Sequence, residues 1–193
     1  MPATKTRHTH HAPHLTAPSH SQDVTAAHVF SALAALHELP SQDVELLCRA
    51  AAGMRFIQST GAYTRLEHEL FEIALAELPD VDSLAIESAA CWAADLVPFA
   101  RSNSRDTLGS AGRLRALWIA AILRISDAYC AHSDGPSDGV FAAWTDTILY
   151  LEFDGDGVSE RRLSRVRDRV AALEALTGRT VVVSGSIARR GAA

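Results

Sequence analysis

The chain predicts a mainly α protein, a bundle of helices followed by a small α+β appendage built as hairpin, helix and strand. Three observations carry that reading. Apolar residues recur at helical spacing in successive segments between Val24 and Ala131. The period changes to two over Ile148 to Phe153, as in a strand with two usable faces. A last amphipathic segment, Glu160 to Leu176, is followed by the β-rich run Thr180 to Ser184.

The elements follow in order. Residues 1–22 are rich in Pro, Thr and His and have little to bury, so they read as a disordered tail. The tail holds His8, His10, His11, His14 and His20, which would take a metal ion only weakly without preorganised support. A first helix starts at Val24 with Asp23 in capping position and ends before Pro40. Ser41 is the expected N-cap of a second helix, with Asp43 and Glu45 favourable to its dipole, running to about Ile57. A third covers about Thr64 to Leu78 and a fourth about Ser83 to Val97, each closed by a proline. Arg101 to Gly112 reads as a loop. The fifth helix, about Ala111 to Ala131, is apolar almost all round between Ala116 and Ile125, which predicts a central, buried position. Gly135, Pro136 and Gly139 mark a boundary. Val140 to Trp144 and Ile148 to Phe153 form the hairpin around Thr145-Asp146, and Gly178 is the C′ glycine of the sixth helix. The expected organisation is 1–22 tail, 23–135 helical domain, 136–185 small α+β subdomain packed on it, and 186–193 basic tail.

Composition narrows the function classes. The chain has 193 residues, 48% of them apolar, enough for a sizeable core. A net charge of -5 gives no global reason to expect DNA or RNA. Cys48, Cys91 and Cys130 have neither zinc-ligand spacing nor an even count, so they read as buried reduced thiols of a cytoplasmic protein. No apolar run approaches the ~20 residues of a membrane span, and no secretory signal opens the chain. The turn cluster Asp154-Gly155-Asp156-Gly157 lacks the glycine and the closing glutamate of a calcium loop, since Ser159 stands at the glycine's place. The arginines of the sixth helix, Arg161, Arg162, Arg165, Arg167 and Arg169, read as a solvated basic face. Ser/His/Asp and Cys/His combinations can be drawn on paper, and none is taken as a nucleophilic site.

The stretch RALWIAAILRISDAY, Arg115 to Tyr129, resembles the last core helix of the HD-type domain at the C-terminus of the exopolyphosphatase and guanosine pentaphosphate phosphatase family. The closing segments ILYLEFDGDG and LEALTGRTVVVSG follow that family's hairpin, helix and strand. Upstream, LLCRAAAGMRFI sits where the family carries an AALLHDIG-like segment, and Arg65-Leu66-Glu67-His68 precedes a helix where the family has a histidine. The resemblance implies an HD-like bundle over 23–135. A catalytic HD domain holds a divalent metal with an adjacent His-Asp pair. Here Arg55-Phe56 takes that place, and neither side chain can ligate a cation. The family's ATPase-like module is also absent from these residues.

The tentative ligand-binding set is therefore His28, Arg55, His68, Arg124 and Asp127. Each has a plain structural alternative. Arg124 and Asp127, three apart, can pair with one another. Arg55 either holds a phosphate or ends its helix in solvent. His28 reads as a ligand or a half-buried core imidazole, and His68 as a ligand or an exposed residue. The expectation is a non-catalytic or accessory domain without a cofactor. It would bind polyphosphate, a guanine nucleotide or a separately encoded phosphatase partner. The alternatives are a metal-dependent phosphohydrolase using His28, His68 and Asp127, and a purely structural or dimerisation domain.

Overall fold

A computed structural model describes residues 21–60, 85, 86, 89, 90, 93, 109–131 and 135–186. The protein is mainly α with a small three-stranded sheet. The described elements are α1 (Ser21–Ala32), α2 (Ala34–His37), α3 (Asp43–Thr60), α4 (Gly109–Cys130), β1 (Gly139–Trp144), β2 (Ile148–Asp154), α5 (Glu160–Arg167), α6 (Ala171–Thr177) and β3 (Thr180–Ser186). The expected helix over Thr64 to Leu78 lies outside the described residues. Of the one over Ser83 to Val97, only Ala85, Ile86, Ala89, Ala90 and Ala93 are described, all buried in helical backbone. Among the described residues no helix is long and apolar enough to cross a membrane.

The chain divides into two compact units, 1–38 with 125–193, and 39–124. The dividing line passes through α4 between Arg124 and Ile125. The sequence reading put the first helix with the bundle. The structure puts α1 in the sheet-bearing unit, where it packs on β1. Ala26, Val29 and Phe30 of α1 are buried, as is Leu33 just after it.

In the sheet-bearing unit, β2 is central. It pairs antiparallel with β1 and parallel with β3, so β3 does join the hairpin. Leu149, Leu151 and Phe153 of β2 point inward with Val140, Val181 and Val183. The alternate residues form an outer face on which Phe141, Tyr150 and Val182 are exposed. The expected sixth helix is two helices, α5 and α6, separated at Asp168 to Val170. There the Arg169 amide donates to Val166, one residue nearer than α-helical spacing, which tightens the chain. The apolar stripe survives the break, with Leu163, Val166, Val170 and Leu173 buried. Gly178 ends α6 in left-handed conformation (φ +65°), its amide donating to Glu174.

The first expected helix also breaks, at Leu33, leaving α2 as a single turn. His37 is buried, donates from Nε2 to the Phe30 carbonyl at 2.9 Å, and lays its ring on Phe30. Glu38 then adopts φ +54°, the left-handed conformation that suits glycine. Glu38→Gly should raise unfolding free energy by roughly 0.5–1 kcal/mol in a denaturant titration. A loss of stability would show that Glu38's side chain contributes more than its backbone strain removes.

In the other unit, α4 begins at Gly109, earlier than the sequence suggested. Between Ala116 and Leu123 it buries every side chain except the half-buried Leu117. Opposed to it in composition, α3 buries Leu46, Leu47, Ala50, Ala51 and Met54. Asp43, expected as an exposed first-turn acid, has no exposed side-chain surface. Its two oxygens accept from Nε and Nη2 of Arg115 at 2.6 and 2.5 Å, a forked pair linking α3 to α4. Asp43→Ala should therefore cost about 3–5 kcal/mol, because it strands a partly buried guanidinium. The check is a double-mutant cycle with Arg115→Met, in which additivity would refute the coupling.

Candidate functional site

The sheet-bearing unit holds two neighbouring sets of buried polar groups. The first is organised by Thr25, which is fully buried on α1. Its Oγ1 accepts from the Ser137 amide at 3.1 Å and from the Cys130 thiol at 3.4 Å. One turn along α1, His28 places Nδ1 3.3 Å from Ser137 Oγ. Ser137 is 1% exposed. The cause is local. α4 ends at Cys130, and the chain must turn before β1 starts at Gly139. The polar groups of that connection are met by α1, which presents Thr25 and His28 at adjacent positions of one helical face.

A serine beside a histidine invites a nucleophilic reading. Ser137 is also the centre of Gly135-Pro136-Ser137-Asp138-Gly139, a Gly-x-Ser-x-Gly spacing that the sequence reading passed over. Three observations set that chemistry aside. The motif's mechanism needs a strand leading sharply into a helix, and here a helix leads into a strand. The amide after the serine should stabilise an oxyanion, yet the Asp138 amide donates to the Asp154 carbonyl at 2.9 Å. Ser137 itself has almost no surface for a substrate to reach.

The second set centres on Tyr129 and Arg162. Tyr129, at the end of α4, is fully buried and stacks on Phe153 with ring centroids 4.6 Å apart. Arg162, the third residue of α5, is only 7% exposed and lies with its guanidinium carbon 4.9 Å from the Tyr129 ring centre. Burial pushes the Tyr129 phenol above its usual range, and Arg162 pulls it partly back, first through a side-chain hydrogen bond and then through its charge. Burial likewise raises the Cys130 thiol, offset in part by Thr25 and Arg162. Among the described residues, Nη1 of Arg162 takes no hydrogen bond and the guanidinium makes no ion pair.

Of the arginines expected as a solvated face, Arg161, Arg167 and Arg169 are exposed, Arg165 is half-buried and Arg162 is buried. Arg165 donates to the Ala128 carbonyl in the last turn of α4 at 3.0 Å. Arg167 donates to the Val183 carbonyl of β3 at 3.1 Å and pairs with Glu160. Their physical role is to satisfy backbone acceptors at a helix end and along a strand.

Of the residues singled out from sequence, His28 and Asp127 belong to the sheet-bearing unit, and Arg55 and Arg124 to the other. All four are half-buried, and His68 lies outside the described residues. His28 meets Ser137, and Asp127 is not among its partners. Neither Arg124 nor Asp127 stands free. Among the described residues, no three His, Cys, Asp or Glu side chains converge as a metal site would require. Sequence reasoning missed Thr25, Ser137 and Tyr129 and misread Arg162. The Gly-x-Ser-x-Gly spacing, which the sequence reading took to be missing, would have flagged Ser137, and Arg162 immediately precedes Leu163 of the apolar stripe. Comparison with known proteins finds no matching family and no matching curated protein.

Burial holds the His28 imidazole below its ordinary pKa of 6.5, with Ser137 and Asp138 opposing the shift. At pH above 6.5 the ring is neutral in both folded and unfolded chains. As pH falls through that value the unfolded chain binds the proton first, so stability falls until the lower folded value is passed. Unfolding free energy should decline as pH falls through about 6.5. His28→Gln should flatten part of that decline, and an unchanged slope would remove His28 as its source.

Proposed function

We propose that the chain is a non-catalytic accessory domain that binds a phosphate-rich ligand, polyphosphate or a guanine nucleotide, on its own or beside a separately encoded phosphatase. The supporting observation is Arg162. A permanently charged guanidinium is carried into the unit's interior with no carboxylate paired to it among the described residues. A cation–π contact offsets about 1–2 kcal/mol of such a burial, less than the several kcal/mol that desolvating a charge costs. An incoming anion supplies the balance. The occupied Asp138 amide and the inaccessible Ser137 support the non-catalytic half of the reading. So does Arg55-Phe56 at the place where the resembled family holds its His-Asp pair. The domain would need no cofactor of its own, and a cytoplasmic setting would supply such ligands.

Calorimetric titration of the full chain with polyphosphate and with guanosine pentaphosphate is the test. Saturable binding that weakens as salt rises is expected, with no phosphate released in the presence of magnesium or manganese. Failure of both ligands to bind overturns the proposal. Metal-dependent phosphate release that Asp127→Ala abolishes would replace it with the phosphohydrolase alternative.

A further inference from the structure

We infer that the outer edge of β1 is a self-association surface, on which a second copy of this chain pairs its own β1 antiparallel and extends the three-stranded sheet across a two-fold axis. The sheet has two outer edges, β1 and β3, and the chain treats them differently. Along β3, the helices α5 and α6 bring side chains to the outward backbone groups. The Val181 amide donates to Glu174 Oε1 at 3.0 Å, and the Val183 carbonyl accepts from Arg167 Nη2 at 3.1 Å. An edge covered in this way does not template another strand. Along β1 the outward groups have no such cover. The Thr145 amide donates to the Ile148 carbonyl, which makes that pair a hydrogen-bonded one. Alternation then places Gly139, Phe141 and Ala143 in the ladder with β2 and turns the amides and carbonyls of Val140, Ala142 and Trp144 outward. Among the described residues, no hydrogen bond from outside the sheet reaches those groups. The strand reads Gly-Val-Phe-Ala-Ala-Trp and lacks the charges and prolines that ordinarily discourage edge pairing.

The occupant follows from the symmetry of those groups. Val140 and Trp144 are evenly spaced about Ala142. A two-fold axis beside Ala142 sets that residue against its own copy and Val140 against the partner's Trp144, so every outward amide meets an outward carbonyl. Any other two-fold register bonds fewer of them. The side chains match in the same register. On the outer face Phe141, 39% exposed, falls opposite the partner's Ala143, large against small. On the other face Trp144, 38% exposed, falls opposite the partner's Val140. Ala143, Tyr150 and Val182 already lie in one row across the three strands, and the partner's Phe141 continues it. Since β1 carries no charge, two copies meet without like-charge opposition. The covered β3 edges end the assembly at two copies, which closes it as a dimer instead of an open filament. A foreign extended segment could meet the backbone groups, but nothing in the fold specifies its side chains as this register specifies a second β1.

Sedimentation equilibrium of the full chain over a wide range of protein concentration is the test, with amide hydrogen exchange followed by NMR. A monomer–dimer equilibrium without larger species is expected. The amides of Val140, Ala142 and Trp144 should be protected at high concentration and exchange freely on dilution. Ala142→Pro removes the amide beside the axis from both copies and spares the ladder to β2, in which that amide takes no part. It should weaken dimerisation about tenfold or more. Phe141→Lys, at an exposed position, should weaken it similarly by setting two cations close to the axis. That second variant decides the matter if Ala142→Pro does not fold. A chain that stays monomeric throughout overturns the proposal and leaves the edge to an extended segment of another protein. A dimer that Phe141→Lys leaves intact, with the three amides unprotected, overturns it as well and places the contact elsewhere. None of these measurements involves phosphate, so their failure leaves the anion-binding reading where it stands.

Discussion

Helix α4 carries hardly any polar side chains between Ala116 and Ile125, and each polar group it does bury has to find a partner in the helices around it. Arg115 finds both oxygens of Asp43. The Ala128 carbonyl, in the last turn of the helix, accepts from the Arg165 guanidinium. Tyr129 finds the Phe153 ring and the Arg162 cation. These demands are met by Arg162, which is buried, and Arg165, which is half-buried. An apolar helix of 22 residues removes much surface from water, which favours folding. It also leaves its terminal carbonyls dry, and the neighbouring element must then bring donors long enough to reach them. Arginine is such a donor, with a stem that packs against apolar surface and a fork that reaches a carbonyl.

The same logic shapes α1. A helix that packs on a sheet would ordinarily present a continuous apolar stripe, yet Gln22, Asp23 and Thr25 are buried here alongside Ala26, Val29 and Phe30. The polar positions answer to the connection between α4 and β1. In that connection the Ser137 amide donates to the Thr25 hydroxyl. A single hydroxyl accepting from an amide and a thiol ties three segments distant in sequence. The Ser137 and His28 contact follows from this packing, and its resemblance to a catalytic dyad is geometric only.

The fold was legible wherever one periodicity dominated. The buried α4, the alternation of β2, the stripe of α5 and α6 and the glycine at 178 were all readable, because each reports a local repeat or a backbone conformation. The breaks at Leu33 and Asp168 were not, since a shift from α-helical to tighter hydrogen bonding leaves the apolar pattern intact. Long-range partnerships were illegible for a different reason. Asp43 and Arg115 are 72 residues apart, and Thr25 and Ser137 are 112 apart. Each of these residues has an unremarkable local role that suffices to explain it, as Asp43 in a first helical turn does. The candidate site was readable only in its residue types. An excess of arginine on one short helix was visible, and its direction was not.

That direction decides the chemistry. Had the α5 arginines faced water, they would have formed a diffuse basic surface, weakened by Asp168 and Glu174 and screened by salt. Instead, the half-buried Arg165 and the exposed Arg167 donate to backbone carbonyls, and Arg167 also pairs with Glu160. Arg162 is set apart from both. Its neighbours are the Tyr129 ring and the Gly157 backbone, and among the described residues no carboxylate forms an ion pair with it. Folding alone would favour a smaller apolar residue at this position, because removing a buried charge removes its desolvation penalty. A guanidinium held there against that penalty is the observation on which the proposed anion binding rests.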